Sequence, residues 1–120
     1  MSQRQDFEAT RDRMNQRLTR LDNRVIKRFF SVDAQTYEAG ALDTPTKELI
    51  GLTASLVLRC DDCIRYHLNR VHDLGLQAEA IHEALSVGLV VGGSIVIPHL
   101  RRAVDYLDEL ERGPGTAPPA

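Results

Sequence analysis

The stretch LRCDDCIRYH, residues 58–67, holds both cysteines of the chain and one of its four histidines. Cys60 and Cys63 are three residues apart. On a helix that spacing puts their Cα atoms about 5 Å apart, inside the window for a disulfide. His67 follows Cys63 by four residues, one turn further along the same face. An imidazole there can take a proton from a thiol, directly or through a water. Free N–H groups and the positive dipole end at a helix N-terminus lower a thiol pKa. Asp61 and Asp62 oppose this, and they read mainly as capping residues for the helix that begins here. Glu48 is the candidate to orient His67. It precedes Cys60 by 12 residues, roughly 18 Å along a helix, and His67 follows Cys60 by 7, roughly 10 Å. If the two helices fold back at Cys60, two side chains and a water span the difference in height. A carboxylate facing a core needs such a partner. The arrangement predicted is a relay of carboxylate, imidazole and dithiol.

Two other readings use the same residues. Cys60, Cys63 and His67 could bind zinc, with His72 or a water as fourth ligand. Their spacing on one helix makes tetrahedral closure awkward, and the chain has no second C-x-x-C and no H-x-x-x-H. A non-catalytic helical interaction module would use the cysteines as core fillers. His72, His82 and His99 have no partner at a telling spacing, and Tyr66, although next to His67, is expected on another face.

The elements that must position these groups read as helices throughout. Met14, Leu18, Leu21, Val25 and Phe29 form a narrow apolar stripe on an otherwise polar N-terminal rod. Residues 1–30 carry eight Lys or Arg against four Asp or Glu. That excess reads as a solvated face, a basic arm for an acidic partner, or the flank of a subunit contact. Gly40 is expected as a C′ residue, and Thr44 as an N-cap followed by Pro45 at the first helical position. The helix from Pro45 to about Arg59 is apolar nearly all round, which places it centrally. Asp61 or Asp62 starts the next helix, which runs to about Leu74 and is ended by Gly75. Another helix covers about Gln77–Val91, stopped by Gly92 and Gly93. A last one covers about Ser94–Glu111, distorted near Pro98. No alternating strand and no Asn-Gly hairpin appears. The expected fold is all-α, about five to six helices in one domain over residues 1–112. It comprises an N-terminal extension over 3–38, a core hairpin over 45–74 and C-terminal helices over 77–111, with a disordered tail at 113–120. Without a βαβ unit, a thioredoxin arrangement of the C-x-x-C pair is excluded.

Composition bounds the partners. A length of 120 residues suits one modest core, and a net charge of −2 gives no field for nucleic acid. Trp is absent and aromatic residues are 5%, which argues against a base-stacking surface. No signal peptide is recognisable, and the longest apolar run, ALSVGLVVGGSIVIP, is too short for a membrane span. A cytoplasmic protein without membrane contact is expected. In a reducing compartment two cysteines suit catalysis or metal binding better than a permanent staple.

Glu48, Cys60, Cys63 and His67 together form E-x11-C-x2-C-x3-H. That pattern, with the surrounding LDTPTKELIGLTASLVLRCDDCIRYHLNRVHDLG, resembles the alkyl hydroperoxidase D-like, or carboxymuconolactone decarboxylase, family over residues about 25–110. The resemblance implies an all-helical fold assembled as a homo-oligomer: dimer, trimer or hexamer. It implies a peroxidase and disulfide reductase that needs no cofactor and no metal. The substrate would be a hydroperoxide or a disulfide such as that of an oxidised peroxiredoxin, with a dithiol such as lipoamide as reductant. By the same resemblance Glu48 and His67 relay protons, Cys63 is oxidised to a sulfenic acid, and Cys60 resolves it or donates a proton. The decarboxylase branch lacks the C-x-x-C pair, so its chemistry is not favoured. Asp62 stands where peroxidase members carry a His, and the chain is one unit where they are tandem duplicates. A single unit can rebuild that arrangement by oligomerising, through the N-terminal stripe and the LSVGLVVGGSIVI region.

Overall fold

The computed structural model describes residues 2–113. Of the tail expected to be disordered, residues 114–120 lie outside the described residues. Six helices follow one another: α1 (Gln3–Thr19), α2 (Arg24–Thr36), α3 (Thr44–Val57), α4 (Asp61–Asp73), α5 (Ala78–Gly92) and α6 (Ile97–Arg112). A 3₁₀ turn over Ser94–Val96 leads into α6. Among the described residues there is no strand, so the fold is all-α.

The N-terminal rod is two helices rather than one. Asn23 adopts extended backbone and its side chain accepts the Ile26 N–H at 3.1 Å, which starts α2 afresh. The apolar stripe is thereby split between two rods. α2 ends at Thr36, well before Gly40. The Lys47 ammonium terminates it by donating to the Thr36 and Glu38 carbonyls at 3.0 and 2.8 Å, where a cation suits the negative end of the helix. The N-cap of α3 is Asp43, whose carboxylate accepts the Thr46 N–H at 2.8 Å. Thr44 does not cap because its hydroxyl donates to the Tyr37 carbonyl at 2.8 Å.

α3 and α4 form a hairpin whose turn is closed twice on the backbone. Arg59 donates to the Leu56 carbonyl, and Cys60 to the Ser55 carbonyl, at 3.0 and 3.1 Å. This pair of bonds is a Schellman closure, which needs a left-handed residue after the C-cap. Arg59 fills that place at φ 60°, a conformation glycine adopts without cost. The same closure ends α4, where Gly75 sits at φ 84°.

The core is shared by α3 to α6. Leu52 and Leu56 of α3 meet Ile64, Leu68 and Val71 of α4, Ile81 and Leu85 of α5, Val96, and Ala103, Tyr106 and Leu107 of α6. Each fully buried Leu or Ile contributes about 1.5–3 kcal/mol, so this cluster carries the stability. The buried Tyr106 hydroxyl donates to Asn69 Oδ1 at 2.8 Å, which satisfies the polar groups between α4 and α6.

Neither α1 nor α2 buries a residue. α1 is held by polar pins. Arg4 makes a bidentate contact to Asp73 of α4, Nη1–Oδ1 2.9 Å and Nη2–Oδ2 2.6 Å, and Gln3 bonds Glu109 and Asp105 of α6. Surface ion pairs contribute only about 0–1 kcal/mol each, so α1 is tied far more weakly than the core helices are packed.

Candidate active site

Cys60 and Cys63 stand at the first turn of α4, paired as a disulfide with a Cα–Cα distance of 5.3 Å. Cys60 itself is the N-cap, with its sulfur 3.2 Å from the Cys63 N–H that it accepts. The expectation that Asp61 or Asp62 would cap the helix is corrected here: both lie inside the first turn and are engaged sideways. Asp62 pairs with Arg65 at 3.1 Å, and Asp61 pairs with His99 and Arg102 of α6. Cys60 is half-buried, whereas Cys63 is exposed.

Glu48 is 1% exposed, and its Oε2 lies 2.7 Å from His67 Nδ1. The hairpin therefore brings these two together directly, with no bridging water. Burying a carboxylate this deeply is costly unless it is hydrogen-bonded. Arg70 supplies a second neighbour, its Nε 3.4 Å from Glu48 Oε1, a longer contact that adds positive charge. An Nδ1–H donated to Glu48 leaves the lone pair of the neutral ring on Nε2, the state a general base requires.

The ring is seated by its surroundings. A Cβ at Gly51 would meet His67 Cε1 at 2.6 Å, Nε2 at 2.8 Å and the Tyr37 hydroxyl at 2.9 Å, so the imidazole edge and the phenol share the space that glycine leaves. The Tyr37 and Tyr66 rings flank His67 with centroids 5.5 and 5.2 Å away. Burial, and after it the Glu48 charge, raises both phenol pKa values, which keeps these groups protonated at neutral pH.

A cleft of about 800 Å³ opens over this site between α1 and α4. Cys63, Tyr66 and His67 form its floor; Phe7, Arg11 and Met14 of α1 form the opposite wall. The Arg11 guanidinium lies 4.2 Å from the centre of the Tyr66 ring, a cation–π contact that ties the wall to the floor. Cys63 and the candidate base His67 thus share one opening.

Several of these groups escape a reading of the sequence. Tyr66 packs on His67 rather than pointing away from it. Tyr37 and Arg11 come from helices whose placement rests on tertiary contacts. Arg70 was findable, because it follows His67 by one helical turn. His72 lies 3.4 Å from Glu111 of α6. Among the described residues no group of three or more His, Cys, Asp or Glu is arranged to hold a metal ion. None of the described helices is long and apolar enough to cross a membrane.

Comparisons with known proteins agree with this architecture. Residues 24–106 match the carboxymuconolactone decarboxylase family. A Paracoccus denitrificans relative, known only as uncharacterized protein 4 in the cox locus, is 30% identical over 83 residues, covering 69% of this chain and 75% of that protein. A crystal structure of a carboxymuconolactone decarboxylase family protein from Thermotoga maritima superposes with a TM-score of 0.85 at 55% identity, covering 89% of this chain and 91% of the other. A role in the antioxidative response has been suggested for that protein. The apo structure of a Legionella pneumophila family protein superposes with a TM-score of 0.68 at 25% identity, covering 90% of each chain. The matched span holds Glu48, Cys60, Cys63 and His67, and the chain belongs to the carboxymuconolactone decarboxylase family.

Proposed function

We propose that the protein is a cytoplasmic thiol–disulfide oxidoreductase that reduces hydroperoxides, or the disulfide of a partner such as an oxidised peroxiredoxin, with the Cys60–Cys63 dithiol. The observation that carries this reading is the buried Glu48–His67 pair beneath a cleft that also exposes Cys63. The antioxidative role suggested for the Thermotoga maritima protein supports the same class of chemistry.

In the reduced enzyme His67 Nε2 accepts the Cys63 proton, and Glu48 stabilises the imidazolium so formed. The thiolate attacks the terminal oxygen of the hydroperoxide. The O–O bond breaks, the alcohol leaves with the proton from His67, and Cys63 becomes a sulfenic acid. Cys60 then attacks the Cys63 sulfur; the S–O bond breaks and water leaves with the Cys60 proton. Two electrons have passed from the dithiol to the peroxide, and an external dithiol restores it by two exchange steps. The exposure of Cys63, against a half-buried Cys60, supports Cys63 as the attacking thiol and Cys60 as the resolving one.

A homo-oligomer belongs to this proposal. Val25, Phe29 and Val32 leave an exposed apolar face on α2. A shallow apolar groove of about 670 Å³ runs between α3 and α5 past Ile50, Val57, Val87 and Val91. Surfaces of this kind fit a second copy.

Rapid-mixing kinetics of the reduced protein with an organic hydroperoxide test the reading. Cys63→Ser abolishes turnover, and Cys60→Ser blocks the intramolecular disulfide. Glu48→Gln and His67→Ala retain the fold but slow thiol oxidation near neutral pH by about a hundredfold, the scale of a lost general base. Full activity in Glu48→Gln refutes the relay and leaves the dithiol chemistry standing.

A further inference from the structure

The molecule holds a second carboxylate clamp built like the first. In the first, Glu48 receives His67 Nδ1 at 2.7 Å and Arg70 Nε at 3.4 Å. In the second, Asp61 receives His99 Nδ1 at 2.8 Å on Oδ1 and Arg102 Nε at 3.0 Å on Oδ2. Each clamp uses a His and an Arg three residues apart on one helix, in the matching segments HLNR (67–70) and HLRR (99–102). The first includes His67, which lines the cleft together with Cys63. The second grips the residue directly after Cys60. We propose that His99 and Arg102 are positioning residues of the dithiol, which hold the first turn of α4 against α6 and offset the Asp61 carboxylate beside the two sulfurs.

The inference rests on the dithiol as reaction centre and follows from where the charges sit. A free carboxylate next to a thiol disfavours the thiolate. The chain places two carboxylates between its cysteines, which without compensation would work against the attack on peroxide. Asp62 is met by Arg65 of the same helix. Asp61 has no partner on its own helix and is met from α6. Burial pushes its carboxyl up, but the hydrogen bond from His99 and the charge of Arg102 outweigh this and hold it below the ordinary carboxylate value. Its charge is therefore already engaged. The other charged or titratable groups that line the cleft with Cys63 are Tyr66 and His67 on α4, Asp6 and Arg11 on α1 and Asp33 on α2; Arg59 precedes Cys60 in the turn. Of these, only Arg59 is next to Cys60 in the chain. Since the clamp also fixes the N-cap turn, loosening it both frees the Asp61 charge and blurs the position of Cys60.

The test is the thiolate titration of the reduced full-length protein, read by ultraviolet thiolate absorbance and by iodoacetamide alkylation rate against pH. Arg102→Gln and His99→Gln should each move the profile to higher pH by about half a unit to one unit, a three- to tenfold slower alkylation at neutral pH. Arg102→Glu should move it further in the same direction. Asp61→Asn should move it the other way, and in that background Arg102→Gln should lose at least half of its effect. Profiles unchanged in Arg102→Gln and Arg102→Glu overturn the inference. So does an Arg102→Gln shift of the same size with and without Asp61, because Arg102 would then act on the thiols directly. Native wild-type thiols that never form the intramolecular disulfide count against the proposed function, whereas the response to Arg102 still decides the clamp.

Discussion

Gly51→Ala offers a test of the relay that replaces none of its members. The new methyl would stand 2.6 Å from His67 Cε1 and 2.9 Å from the Tyr37 hydroxyl. Carbon atoms at rest lie about 3.5–4.0 Å apart, so the imidazole must withdraw by about 1 Å. Its only strong tie is the 2.7 Å bond to Glu48, and a shift of that size carries it past hydrogen-bond range. Glu48, 1% exposed, would be left with the longer Arg70 contact. Losing a hydrogen bond to a buried charge costs about 1.5–3 kcal/mol. Alanine in place of glycine inside α3 returns about 1 kcal/mol of helix propensity. The net expectation is a loss of about 0.5–2 kcal/mol, read from urea unfolding under reducing conditions as a lower midpoint with unchanged slope. Peroxide-driven oxidation of the thiols should slow by at least tenfold, because the base is no longer held. A variant as stable as the wild type, or more so, that oxidises at the wild-type rate would refute the seating of His67 against α3.

Three further perturbations separate the roles of other elements. Arg59→Gly relieves the left-handed turn between α3 and α4 and should raise stability by about 1 kcal/mol in urea unfolding, while a loss would show that the Arg59 side chain contributes more than its backbone costs. The hydrogen bond from Arg4 holds the Asp73 carboxyl below its ordinary range, so this tie is fully present above about pH 4 and is lost as pH falls through the lower folded value. Protection factors in α1, which correct for the intrinsic pH dependence of exchange, should therefore fall on acidification below about pH 4, and Arg4→Ala should give low protection already at neutral pH; equal protection in the variant would contradict the pinning of α1. Phe29→Glu or Val90→Glu should lower the molar mass found by light scattering if the exposed faces of α2 and α5 join copies, and a wild-type protein that is already monomeric would remove that part of the proposal.

The geometry of the candidate site was legible in the sequence because its four residues lie on one hairpin. Folding α3 back on α4 brings Glu48 and His67 into direct contact, and Glu48, Leu52 and Leu56, spaced four apart, share the buried face of α3. The helix starts were less legible, since Asp43 and Thr44 are both good caps and the choice is made by the contact from Thr44 to the Tyr37 carbonyl. Cys60 as N-cap follows from the Schellman closure that ends α3, a backbone event that a count of good capping residues does not reveal. The break at Asn23 is local, yet it is hidden by an apolar stripe that runs through it. Tyr37, Arg11, His99 and Arg102 reach the site from helices whose orientation is set by packing and long-range ion pairs. No spacing along the chain records those distances.

The central claim is that Cys60 and Cys63 form a dithiol that native peroxide chemistry oxidises as a pair. Its most direct test is to treat the reduced, folded protein with one equivalent of cumene hydroperoxide at neutral pH and follow both products. The account predicts one Cys60–Cys63 disulfide within each chain by peptide mass mapping, matched by one equivalent of cumyl alcohol. Thiols that stay reduced until the protein is unfolded, or oxidise only between chains, would contradict it.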